Sequence, residues 1–118
     1  MTHQELEQYF VDLGLDVETL RGQDGRDYLV ICDYVIRAGA LHGRHVDVAI
    51  QKVASVPYTP PPCIHTRPAL VRMDMNRFRT QNSGIGPEWQ YWSRLLKRQV
   101  TPQIMEAHIA TIFSEVVL

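Results

Sequence analysis

Cysteine is scarce in this 118-residue sequence: only Cys32 and Cys63 are present, and neither belongs to a CxxC pair. Two such thiols make no disulfide framework, so a reducing cytoplasm is the expected compartment. Long apolar runs are missing as well. None approaches the ~20 residues that span a bilayer, which argues against a membrane partner. The opening residues, Met1-Thr-His-Gln-Glu5, turn polar at once and build no secretory apolar region. A dominant charge is also absent, because twelve Lys and Arg nearly balance thirteen Asp and Glu. No recognised nucleic-acid-binding motif accompanies the arginines, so nucleic acid is not an expected partner.

What is present fits one globular unit. The length predicts a single domain over 1–118, and a hydrophobic fraction of 45% suffices for a packed core. The near-neutral charge hides an asymmetry. Up to Thr66 there are nine acids and five bases, whereas from Arg67 onward seven bases (Arg67, Arg72, Arg77, Arg79, Arg94, Lys97, Arg98) face four acids. That bias suits either a solvated basic loop or a surface that docks an acidic partner.

The chain order predicts helix, antiparallel meander, proline turn, long loop, helix. Thr2 and Glu5 make a capping box, Leu6, Phe10 and Leu13 form one stripe, and Gly14 stops the first helix. Strands are expected at Leu15–Leu20, at Tyr28–Ile36, at residues 45–53 and briefly at Cys63–Thr66. Their glycine-punctuated links suit hairpins. The run Pro57-Tyr-Thr-Pro-Pro-Pro62 breaks the sheet, since proline removes ladder donors. Residues 67–90 show little periodicity and read as a loop of functional length. Thr101 and Pro102 start a last helix with Met105, Ile109, Ile112 and Val116 on its apolar face. The expected fold class is α+β, with helices on one face of a four-stranded antiparallel sheet. The apolar end Val116–Leu118 suits cover by a partner.

The proline turn after the third strand, with Pro57-Tyr58 and Pro61-Pro62, is similar to that of the ubiquitin-conjugating fold. More specific is Gly86-Pro-Glu-Trp-Gln-Tyr-Trp-Ser-Arg94, which resembles the W-Q-x-W-S-R motif of the bacterial branch called prokaryotic family E. Two departures stand out. Leu95 replaces the histidine that usually follows Ser-Arg, and Val100 the tryptophan that usually starts the final helix. The resemblance implies a domain that accepts a ubiquitin-like protein from an activating enzyme and passes it to a target of unknown identity. It implies no cofactor. It also places the thioester-forming cysteine about ten residues before the proline opening the next helix, hence at Trp92, beside Ser93.

Ser93 is therefore the expected carrier, as an oxyester in place of a thioester, with Arg94 as a fixed charge for the developing oxyanion. Trp89, Trp92 and Asn82 are the expected supporting residues. Other readings stand beside this one. Ser93 is also a favoured cap for a short turn through Arg94–Arg98, and both tryptophans suit packing of an irregular loop. Cys32 and Cys63 read as small buried hydrophobes, although Cys63 is the one thiol near the site. The HxxH at His42 and His45 lacks the further ligands a zinc site needs, so no metal is expected. His65 reads as a polar strand residue before it reads as a base, and His108 as a surface residue. Two alternative functions remain: a non-catalytic module that positions a ubiquitin-like protein, or an unrelated α+β adaptor.

Overall fold

Thr2 starts the first helix, its hydroxyl accepting from the Glu5 amide at 3.1 Å. The computed structural model describes residues 1–72 and 77–117. Helix α1 (His3–Asp12) buries Leu6 and Phe10. Gly14, at φ +87°, reverses the chain into the sheet, a backbone region that glycine enters without steric cost. The meander follows as β1 (Asp16–Arg21), β2 (Asp27–Val35) and β3 (His45–Gln51). Register slips between Ile31 and Tyr34, where Asp33 takes a positive φ of 56°. Strand β4 (Ile64–Arg67) comes after the proline segment.

The expected strand count needs correction. The sheet has six strands, because β5 (Thr80–Asn82) and β6 (Gln90–Trp92) form a hairpin that pairs with β4. The order is β1-β2-β3-β4-β6-β5, antiparallel throughout. Strand β5 thus emerges from the segment expected to be a loop and β6 begins at its last residue, while residues 73–76 lie outside the described residues. Three-residue strands are too short to display alternation. Gln90 further masks the pattern by carrying a polar group inside. Its side chain accepts from the Leu70 amide at 2.9 Å and donates to the Val71 carbonyl at 3.0 Å.

Helix α2 (Pro102–Ser114) begins as expected, with the Ile104 amide donating to Thr101 Oγ1 at 3.2 Å. Its Met105, Ile109, Ile112 and Phe113 join Leu6 and Phe10 of α1 over one sheet face, against Leu29, Ile31, Val48, Ile50, Ile64 and Trp92. Val116 completes this core, Val117 is exposed, and Leu118 lies outside the described residues. The opposite face carries a smaller cluster of Tyr28, Val30, Ala49, Ile85 and Trp89. Strand β2 is therefore covered on both sides. This is why its sequence reads as an unbroken apolar run and not as an alternation.

Trp92 joins the hairpin to the main core. It is fully buried, meets Phe113 edge-on at 6.0 Å, and donates from Nε1 to Thr66 Oγ1 at 3.0 Å. Trp92→Ala should lower the unfolding free energy in urea by about 3–5 kcal/mol, the usual range for a large aromatic deleted from a core. Trp92→Phe should cost less, leaving Thr66 without its donor. A loss below about 1 kcal/mol for the alanine variant would place β6 outside the core.

Candidate functional site

Trp92 points into the core, and the next residue, Ser93, is exposed. The Ser93 amide donates to the Arg79 carbonyl at 2.9 Å, which fixes its backbone to the chain entering β5. On the other side, the pairing of Ile64 with Trp92 sets Cys63 across from Ser93. Cys63 is half-buried, and its sulfur accepts from the Arg94 amide at 3.5 Å. Residues 93–97 form no helical turn, so Ser93 has no short helix to cap.

Arg94 is buried, at 8% exposure. Its Nη1 donates to the carbonyls of Phe78 and Ser93, both at 2.7 Å. The guanidinium carbon lies 5.5 Å from the Trp92 ring centre, and Nε has no partner. Burial, and then the neighbouring Arg79, lowers the proton affinity of the group. A buried cation is costly unless its donors are used, and here Nη1 binds backbone twice while Nε is left unpaired. Of the supporting residues, Trp92 belongs to the main core and Trp89 to the smaller cluster, beneath the Arg67 guanidinium at 4.6 Å. Asn82 ends β5 and lines a groove.

That groove, of about 430 Å³, lies on the sheet face opposite the helices and is lined by Asp24, Tyr28, Cys63, His65, Asn82 and Tyr91 among others. His65 is part of its wall. Its ring is 5.0 Å from the rings of both Tyr28 and Tyr91, and Nδ1 lies 2.7 Å from Ser83 Oγ. Ser83 Oγ also accepts from the Ile85 amide at 3.1 Å. Burial pushes the His65 pKa down to about 4, against the opposing pull of Asp24. The Asp24 carboxylate accepts from the Tyr28 hydroxyl at 2.6 Å and the Arg26 amide at 3.0 Å. Burial works against its ionisation, yet these two bonds outweigh it and hold the carboxyl below its ordinary value. At the groove's end the Tyr91 hydroxyl is shifted upward, first by hydrogen bonding to Cys63 and then by burial, while Ser93 pulls it back. Cys63 and Tyr91 line the same groove.

A family model described as prokaryotic E2 family E matches residues 3–117. The chain belongs to prokaryotic E2 family E. No curated protein and no solved structure matches it. Membership makes this an E2-like protein, which implies a conjugating-type role with a ubiquitin-like protein and an activating enzyme as partners. No helix among the described residues is long and apolar enough to cross a membrane.

The E2-like chain places its remaining candidates apart from Ser93. Arg67 is paired with Asp47 at 3.0 Å and Glu88 at 3.8 Å, so its charge is used within the fold, whereas Lys97 and Arg98 are exposed. His45 binds Asp33 at 2.8 Å, and among the described residues no three potential metal ligands converge. Cys32 shares its sulfur with Glu18 at 3.0 Å, and burial pushes its thiol up to about 12. His108 is half-buried, with Nε2 2.8 Å from the Pro62 carbonyl, where a surface position was expected. The residues missed from sequence are Asp24, Tyr28, Ser83 and Tyr91. The signal for Ser83 was a serine followed by glycine, a turn in which its hydroxyl would bind backbone.

The buried histidine gives stability a pH dependence. Above pH 6.5 His65 is neutral in both folded and unfolded chains and contributes no slope. Between 6.5 and about 4 the unfolded chain takes up a proton that the folded chain refuses, so stability falls as pH drops. The loss by pH 4 is about 3 kcal/mol. Urea unfolding of wild type and His65→Gln at pH 7.5 and 4.5 should show a shallower decline for the variant. Parallel declines would mean that His65 is protonated in the fold.

Proposed function

We propose that the chain is a conjugating-type transferase that accepts the C-terminal carboxyl of a ubiquitin-like protein on Ser93 and passes it to a target. The observation that carries this reading is the exposed Ser93 at the end of β6, held between Arg79 and Cys63 in a chain of an E2 family. Ser93 Oγ attacks the activated glycine carbonyl, the bond from that carbon to the activating enzyme's leaving group breaks, and an oxyester forms as the serine proton departs with that group. Arg94 sits directly behind, bound to the Ser93 carbonyl, and its buried charge favours the oxyanion through a poorly screened medium. Trp92 and Trp89 hold the two ends of the motif, and Asn82 lines the approach to it. Leu95, 74% exposed beside the site, offers an apolar contact, and exposed Lys97 and Arg98 suit an acidic partner.

A second reading has one observation in its favour. Among the described residues no carboxylate or imidazole hydrogen-bonds the Ser93 hydroxyl, and serine is a poor nucleophile without a base. The chain would then position a ubiquitin-like protein without carrying it.

Incubation with the activating enzyme, the ubiquitin-like protein and ATP separates the two. A serine carrier gives a covalent adduct that survives thiol reductant and is cleaved by hydroxylamine. Ser93→Ala should abolish it, and Ser93→Cys should make it reductant-sensitive. An adduct lost in Cys63→Ala and kept in Ser93→Ala would make the thiol the carrier. Absence of any adduct, with binding retained, would leave the positioning role.

A further inference from the structure

We propose that His65 is the proton acceptor for the amine that takes the acyl group from Ser93, and that Ser83 is the residue positioning its ring. The proposal rests on the carrier reading of Ser93 and concerns the discharge of the acyl group to the amine.

Three observations carry it. First, β4 and β6 set His65 directly opposite Tyr91. Ser93, two residues further on, is then a diagonal neighbour of His65, a relation that spans about 7–8 Å. That gap accommodates an acyl carbon on Oγ and an attacking nitrogen between the two side chains. Secondly, the ring is held on one side only. Nδ1 meets Ser83 Oγ at 2.7 Å, while Nε2 has no partner among the described residues, and the ring, 7% exposed, lines the groove. A base oriented by a third group through one nitrogen and open to substrate through the other is the arrangement that proton transfer requires. Thirdly, the Asp24 carboxylate lies on the same groove, already bonded to Tyr28 and the Arg26 amide, and its charge favours the approach of an ammonium.

For Nε2 to accept, the ring proton must sit on Nδ1 and donate to Ser83 Oγ. That oxygen then accepts two bonds, from Nδ1 and from the Ile85 amide, which matches its two lone pairs. The neutral amine, its first proton already lost to water, attacks the ester carbonyl, and a carbon–nitrogen bond forms. Its N–H proton passes to Nε2. The bond from carbon to Ser93 Oγ then breaks, and the same proton moves from Nε2 to the serine oxygen. The products are an amide and the free hydroxyl, with His65 restored. Burial, which depresses the ring's pKa, keeps the imidazole neutral at pH 7 while making it a weaker base than one in water.

The test uses the full chain loaded by its activating enzyme, with ATP then removed and free lysine added. Discharge is followed per loaded molecule, and the adduct is located by peptide mass spectrometry. His65→Ala and His65→Gln should both discharge about 100-fold more slowly than wild type. Added imidazole should restore part of the rate in His65→Ala, which a structural defect would not allow. Ser83→Ala should show a smaller loss. Nitrogen-15 spectra of the unloaded protein should show His65 protonated on Nδ1. Equal discharge in the His65 variants, no rescue by imidazole, or a proton on Nε2 would each overturn the assignment while leaving the carrier reading intact. Absence of an adduct on wild-type Ser93 would overturn the carrier reading and this proposal with it.

Discussion

The buried guanidinium of Arg94 is the interaction around which this end of the molecule is arranged. Its Nη1 binds the carbonyls of Phe78 and Ser93 together, so one charged group joins the chain entering β5 to the chain leaving β6. The turn at Phe78 and Arg79, with φ of 56° and 52°, is a strained path for residues with a Cβ. Charge-assisted bonds to the Phe78 carbonyl help to offset that strain. With the hairpin closed, Trp92 enters the core, and Ser93 has nowhere to face but outward.

The second constraint lies on the other face. The turn after β1 is stitched to residues 84 and 85 by two backbone bonds, Gln23 amide to Ile85 carbonyl at 2.9 Å and Asp24 amide to Gly84 carbonyl at 3.0 Å. Asp24 fits between Gly22 and Gly84 so tightly that a Cβ on either would fall within 2.8 Å of its carboxylate oxygens. Removal of one side-chain atom at each glycine is what allows the carboxylate to reach Tyr28. This junction brings Ile85 over Val30 and Ala49 and Ser83 against His65. Groove and site are therefore consequences of the same hairpin, reached from opposite ends.

Helices and long strands were legible in the residues because their signals are local. Thr2 and Thr101 cap as their types require, and β3 starts where its alternation starts. The hairpin of β5 and β6 was not legible. Thr80, Gln90 and Arg94 are polar residues in buried positions, the first bonded to the nearby Arg77 carbonyl and the other two to carbonyls distant in sequence, and a pattern reading gives such residues to the surface. His65 lies in strand β4 as expected, but its burial was not legible for the same reason. A histidine in Cys-Ile-His-Thr gives no sign that Tyr28, Ser83 and Tyr91 will surround it. Ser93 itself was found through a motif, and its exposure follows from the alternation of Trp92, Ser93 and Arg94 about the strand end.

The central claim is that Ser93 belongs to an ordered strand end and not to a mobile loop. Native-state hydrogen exchange at the Ser93 amide tests this most directly, because that amide donates to Arg79 at 2.9 Å. Protection comparable to that of the Trp92 and Thr80 amides is expected in wild type, falling in Arg94→Lys, whose ammonium cannot span both carbonyls in the same plane. Exchange at Ser93 as fast as at exposed Leu95 in the wild-type protein would contradict it.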